Sequence, residues 1–199
     1  AVPDAVVIAC NTASTLVLPD LRARFTLPIV GTVPAVKPAA ETSVSRLVSV
    51  LATPGTVKRD YTRDLVATHG RDCRFTLVGS RRLASLVEAE FAGENVPDDD
   101  YRTEISPCFV EEGDRRTDTV VLACTHYPLV LARLTRLAPW PVTWIDPAPA
   151  IARRVLQVTA DTPARDDEAP PDVFLATGRL PPEGVATRYG FTATAIFAS

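Results

Sequence analysis

Short apolar runs bounded by turn residues alternate along this chain with longer stretches whose apolar positions recur at helical spacing. The runs at Ala5 to Ala9, Pro28 to Val30, Leu47 to Ala52, Arg74 to Val78, Thr119 to Ala123, Val142 to Ile145 and Val173 to Ala176 predict strands. Helical patterns fill the gaps, over Ala13 to Arg24, Val36 to Ser45, Thr56 to Thr68, Ser80 to Phe91, Pro128 to Leu137 and Pro149 to Val158. Strand and helix in strict alternation predict an α/β fold with mostly parallel sheets flanked by helices. The polar, proline-rich stretch from Ala160 to Pro171 predicts a surface loop before the last strand.

One pattern occurs twice. Val6-Val7-Ile8-Ala9-Cys10-Asn11-Thr12 and Val120-Val121-Leu122-Ala123-Cys124-Thr125-His126 both read as strand, cysteine, polar pair, helix. In open parallel sheets ligands gather beyond the carboxyl ends of strands, where helix N-termini present free backbone N–H groups. The echo therefore predicts two similar half-sites facing one ligand.

Composition narrows the chemistry. With 199 residues, 46% of them hydrophobic, the chain can bury one substantial core or two small ones. Its formal charge of -3 comes from acids and bases mixed along the chain, without the basic run that tracks a phosphate backbone, so nucleic acid is not expected as a primary partner. No apolar stretch approaches the roughly 20 residues needed to span a bilayer, and the first residues lack the pattern of a signal peptide, which points to the cytoplasm. Cys10, Cys73, Cys108 and Cys124 form no CxxC and no metal-ligand spacing, so reduced thiols and no metal are expected. Lysine occurs only at Lys37 and Lys58, leaving few candidates for a pyridoxal Schiff base. The chain contains no methionine and opens almost directly on a strand, so sequence is expected to be missing before Ala1.

A cysteine ending a buried strand is often only a small hydrophobe. Two of them at the same point of two similar units, each followed by hydrogen-bonding residues, weigh against that. A thiol can be shifted downward by a helix N-terminus or a neighbouring cation, which makes thiolate available near neutral pH. If one thiolate removes a proton from a carbon and an opposed thiol returns one on the other face, the carbon inverts. Asn11, Thr12, Thr125 and the adjoining helix starts could stabilise the carbanion through a substrate carboxylate. His126 is expected to favour thiolate at Cys124 or to orient a substrate ammonium, while His69, Cys73 and Cys108 are expected to be structural. A hydrolase using Cys124 with His126 leaves Cys10 unexplained, and no arginine closes either cysteine loop as a phosphatase would require. A non-catalytic binding module, or a truncated, catalytically impaired remnant that keeps the fold without a whole site, is the alternative from another class.

The segments Ala9-Cys10-Asn11-Thr12-Ala13-Ser14 and Ala123-Cys124-Thr125-His126-Tyr127-Pro128-Leu129 resemble the two signature segments of glutamate racemases. Aspartate racemases of the same superfamily typically carry histidine where Ser14 stands and glutamate where His126 stands, which favours the glutamate branch. The resemblance continues through Val30 to Ala39, Leu51 to Arg59 and Arg188-Tyr189-Gly190-Phe191. It implies a cofactor-independent isomerase interconverting L- and D-glutamate for peptidoglycan synthesis and cell-wall biogenesis, with a homodimer as one assembly. Cys10 would act on the D-enantiomer and Cys124 on the L-enantiomer, with Asn11, Thr12, Thr56, Thr125 and His126 binding substrate. The implied architecture is two similar α/β domains with the active site between them. Residues 1–33 and 140–199 would form a first domain, incomplete at its start, and residues 34–139 the second. Family members begin with a strand ending in Asp-Ser-Gly, followed by a Tyr-Gly pair, and neither precedes Cys10 here. The chain alone is accordingly expected to be poorly active. The family's glutamate ahead of the second cysteine segment would correspond to Glu111 or Glu112.

Overall fold

The computed structural model describes residues 3–163, 172–178, 180 and 184–196. Its centre is a four-stranded parallel sheet of β3 (Leu47–Ala52), β4 (Arg74–Gly79), β7 (Thr119–Ala123) and β8 (Thr143–Ile145), in the order β4-β3-β7-β8. The two central strands are buried at every residue, as near-continuous apolar runs covered on both faces must be. The one polar side chain inside β3, Ser49, donates to the Cys108 carbonyl at 2.6 Å.

Side chains leave a strand on alternate faces, and this divides the core in two. Leu51, Val120, Leu122 and Cys124 join one cluster with Leu83, Leu86 and Val87 of α5 (Leu83–Phe91), Tyr101 and Ile105 of α6 (Asp98–Ile105), and Leu134 and Leu137 of α7 (Leu131–Leu137). Val48, Val50, Ala52, Val121 and Ala123 turn the other way, onto Ala39 of α2 (Val36–Thr42). Cys124, two residues beyond Leu122, thus points to the α5 side.

Two smaller parallel sheets stand apart from this one. β1 (Val6–Ile8) pairs with β2 (Ile29–Gly31) across α1 (Asn11–Arg24), and β9 (Val173–Ala176) pairs with β10 (Ala193–Ile196). α8 (Ala148–Val158) packs near β2, and α9 (Val185–Arg188) precedes β10. The segment Thr143–Ile145, which a boundary after residue 139 would give to the first unit, is hydrogen-bonded to β7.

The expected strands all form, with no end shifted by more than one residue. The helix expected over Thr56 to Thr68 is divided into α3 (Pro54–Val57) and α4 (Asp60–His69). That expected from Ser80 starts at Leu83, whose N–H is accepted by the Ser80 hydroxyl at 3.0 Å. Pro128 to Leu137 begins as a 3-10 turn, Tyr127–Val130, before α7. The pattern did not predict α6, the hairpin of β5 (Glu111–Glu112) and β6 (Arg115–Arg116), α9 or β10. The expected loop from Ala160 lies largely in residues 164–171, outside the described residues. Among the described residues no helix is long and apolar enough to cross a membrane.

Candidate functional site

Cys10 and Cys124 end β1 and β7 and line one cleft of about 200 Å³, together with Ala9, Asn11, Thr12, Thr53, Ala84, Ala123, Thr125 and His126. This volume lies below the ~300–1,000 Å³ usual for sites of drug-sized ligands and suits a small molecule. The two repeated units meet directly, because the Thr125 hydroxyl donates to the Ala9 carbonyl at 3.3 Å.

In the first unit, Cys10 is the N-cap of α1 in extended conformation, and its Sγ accepts the Ala13 N–H at 3.4 Å. Its side chain is exposed. Asn11 follows as the first helical residue and is 2% exposed, with neither amide atom paired among the described residues. A buried amide without partners is costly, so this side chain on the cleft wall calls for a polar ligand. Thr12 hydrogen-bonds both Thr53 (3.0 Å) and Thr56 (2.9 Å), and those two lie 3.3 Å apart. Gly55 permits this approach: a Cβ there would stand 3.1 Å from the Thr12 methyl. Beneath the unit, the Ser14 hydroxyl donates to the Ile8 carbonyl at 3.1 Å and accepts the Thr32 N–H at 3.0 Å.

In the second unit Cys124 is 8% exposed, and its Sγ lies 3.7 Å from His126 Nδ1. The other ring nitrogen, Nε2, lies 2.5 Å from Glu88 Oε1. The hydrogen bond with Cys124 holds His126 well up, to about 9, and Glu88 adds to this against the opposing effect of burial. An imidazolium at neutral pH therefore stands between a sulfur and a carboxylate. His126, Glu88 and Thr125 also wall a second, larger chamber of about 390 Å³, bounded by Phe91, Leu129, Phe174 and Tyr189.

The structure thus gathers Cys10, Asn11, Thr12, Thr125, His126 and Cys124 on one cleft, with Thr56 bonded to Thr12 just behind its wall. It adds Thr53, Ala84 and Glu88. Thr53 is within reach of the sequence, three residues ahead of Thr56 at the start of α3. Glu88 is not, since it meets His126 only through the packing of α5. Glu111 and Glu112, one of which would match the family's glutamate, lie in the β5–β6 hairpin, where Glu112 pairs with Arg74 and Arg115. Two thiols, a cation and an unpaired amide on one small cleft can hold an anionic carbon acid and exchange its proton.

The chain is similar to known proteins. Over 184 residues the chain is 54% identical to a glutamate racemase of Brucella ovis, covering 90% of this chain and 65% of that protein. Over 172 residues it is 56% identical to a glutamate racemase of Mesorhizobium japonicum, covering 86% of this chain and 66% of that protein. The chain thus spans just under two thirds of the length of the curated relatives it matches. Among solved structures, Escherichia coli glutamate racemase in complex with L-glutamate and the activator UDP-MurNAc-ala is similar with a TM-score of 0.86 and 38% identity, over 96% of this chain and 73% of that one. A glutamate racemase of Bacillus anthracis, at 22% identity, shares the fold with a TM-score of 0.78, over 98% of this chain and 74% of that one. The family model Asp/Glu/Hydantoin racemase matches residues 1–155, most of the chain and both cysteine units. This chain belongs to the Asp/Glu/Hydantoin racemase family.

Proposed function

We propose that this chain is a cofactor-independent glutamate racemase in which Cys10 and Cys124 are a pair of acid/base thiols. The observation that carries this reading is the presence of both sulfurs, from the ends of two separate parallel strands, on one small cleft. One thiolate takes the α-proton and the other thiol delivers a proton to the opposite face, so the carbon inverts without any change in oxidation state. By the family resemblance Cys10 serves the D-enantiomer and Cys124 the L-enantiomer. Asn11, whose amide gains its missing partners, binds the substrate with Thr12, Thr125 and His126, and Thr56 with Thr53 holds the Thr12 hydroxyl in place. Hydroxyl and N–H donors on the substrate carboxylate spread the charge of the carbanion. His126 stands between the Cys124 sulfur and the Glu88 carboxylate, where it can orient both.

Glutamate as substrate is supported by the names of the relatives and by the L-glutamate in the E. coli complex. The reading extends to D-glutamate supply for peptidoglycan in the cytoplasm, by a homodimer, under a two-domain division near residues 33 and 139. The test is incubation of the purified chain with L- or D-glutamate in deuterium oxide, following α-hydrogen exchange by NMR and optical activity. Slow exchange and racemisation from both enantiomers are expected, as for a chain expected to be poorly active, with Cys10→Ala and Cys124→Ala each abolishing both. Near-normal racemisation by either variant would remove the two-thiol scheme, and no exchange in the unaltered chain would favour a binding module.

A further inference from the structure

Helix α5 and the segment from Cys124 to Leu137 touch through charged side chains at two points. In front, Glu88 reaches His126 on the cleft. Behind, Glu90 Oε2 accepts from Arg133 Nη1 at 2.6 Å. Residues two apart on a helix point about 160° away from each other, so these contacts grip α5 from nearly opposite sides. The partners are also connected: His126 leads through the 3-10 turn directly into α7, which carries Arg133.

The two grips differ in strength. The Glu88 side chain is 70% exposed, and an exposed carboxylate has little hold on its own position. The Arg133 side chain is 20% exposed and also donates to Asp98 at 2.9 Å and to the Val96 carbonyl. Its guanidinium lies 4.3 Å from the Tyr101 ring centre, and the Tyr101 hydroxyl donates to the same Glu90 oxygen at 2.7 Å. The rear clamp is therefore the better shielded and better connected of the two contacts, and it adds to the hold that Leu83, Leu86 and Val87 have on α5 in the core.

We propose that Arg133 is a positioning residue: by clamping Glu90 behind α5, it sets the contact of Glu88 with His126 in front. The claim rests on the reading that His126 serves the chemistry at Cys124. The groups facing His126 are Cys124 on its own segment, Glu88 from α5 and Cys10 across the shared cleft. Arg133 touches none of these.

The test uses histidine NMR on the full chain, which has two histidines, His69 and His126. His126 is expected to titrate near 9 in the unaltered protein. Arg133→Gln and Glu90→Gln should each lower it by about one unit and leave His69 in place. The charge exchange Glu90→Arg with Arg133→Glu should bring it back. In the racemase assay kcat should fall about tenfold with KM within about twofold, because the loss concerns proton transfer more than binding. Should Arg133→Gln fail to fold, Glu90→Gln decides. Folded variants whose His126 titrates as in the unaltered protein would overturn the proposal. A shifted His126 with unchanged racemisation would uphold the clamp and instead sink the role of His126.

Discussion

Val6-Val7-Ile8 and Val120-Val121-Leu122 occupy the same place before their cysteines, yet Val6 and Val7 are 37% and 42% exposed while Val120 and Val121 are fully buried. The neighbours account for this. β7 lies between β3 and β8 with helices on both faces, whereas β1 has β2 as its one strand partner among the described residues. The cysteines inherit the difference. Cys10 is exposed on a helix cap, and Cys124 is nearly buried beside a charged histidine. Two copies of one local pattern have thus placed two thiols in unequal surroundings.

The largest test of this contrast is packing. Leu122→Ala should cost about 2–5 kcal/mol, because it leaves a cavity in a core with no slack, while Val7→Ala should cost under about 1 kcal/mol. Urea denaturation measures both, and equal losses would break the comparison. Thiol access comes next. Iodoacetamide should label Cys10 at least roughly tenfold faster than Cys124, read by peptide mass spectrometry, with glutamate slowing both.

Smaller effects sharpen how each unit is held. Ser14→Ala removes a hydroxyl that bridges Ile8 and Thr32, which also meet directly through the Thr32 hydroxyl at 3.0 Å, and should lower stability by about 1 kcal/mol in the same urea assay. The smallest effect is one of pH. The His126 value is raised, so the stability it contributes is fully present below about 6.5 and is lost as pH rises through about 9. The midpoint gap between the unaltered chain and His126→Gln should therefore be open at pH 7 and closed near pH 10. A gap independent of pH would mean that His126 acts there through packing alone.

Much of the fold was legible because its strands are short apolar runs between turn residues, a signal local to each run. The elements that escaped lack this signal. In α6, Asp98-Asp99-Asp100 suit the start of a helix, but only two of its residues, Tyr101 and Ile105, are buried, too few for a clear apolar stripe. Strands β5 and β6 hold two charged residues each, joined by the turn at Gly113 with a φ of 56°. Ala193 to Ile196 is exposed throughout and was masked by its small residues. In the cleft, the cysteines and their polar followers could be read because the motif repeats. Glu88 could not, because nothing in the spacing of α5 distinguishes the carboxylate that meets His126 from Glu90, which meets Arg133.

By itself the sequence determined the alternation of strand and helix, the doubled strand-cysteine-helix unit and the residue types that face a ligand, since each depends on neighbours within a turn or two of the chain. Only the tertiary structure decided that the two units share one cleft, that Thr125 bridges them, that one thiol is exposed and the other enclosed, and that Glu88 supplies the charge behind His126. Burial and ion pairing arise between segments far apart in the chain, so they depend on how helices and strands pack, and no local pattern contains them.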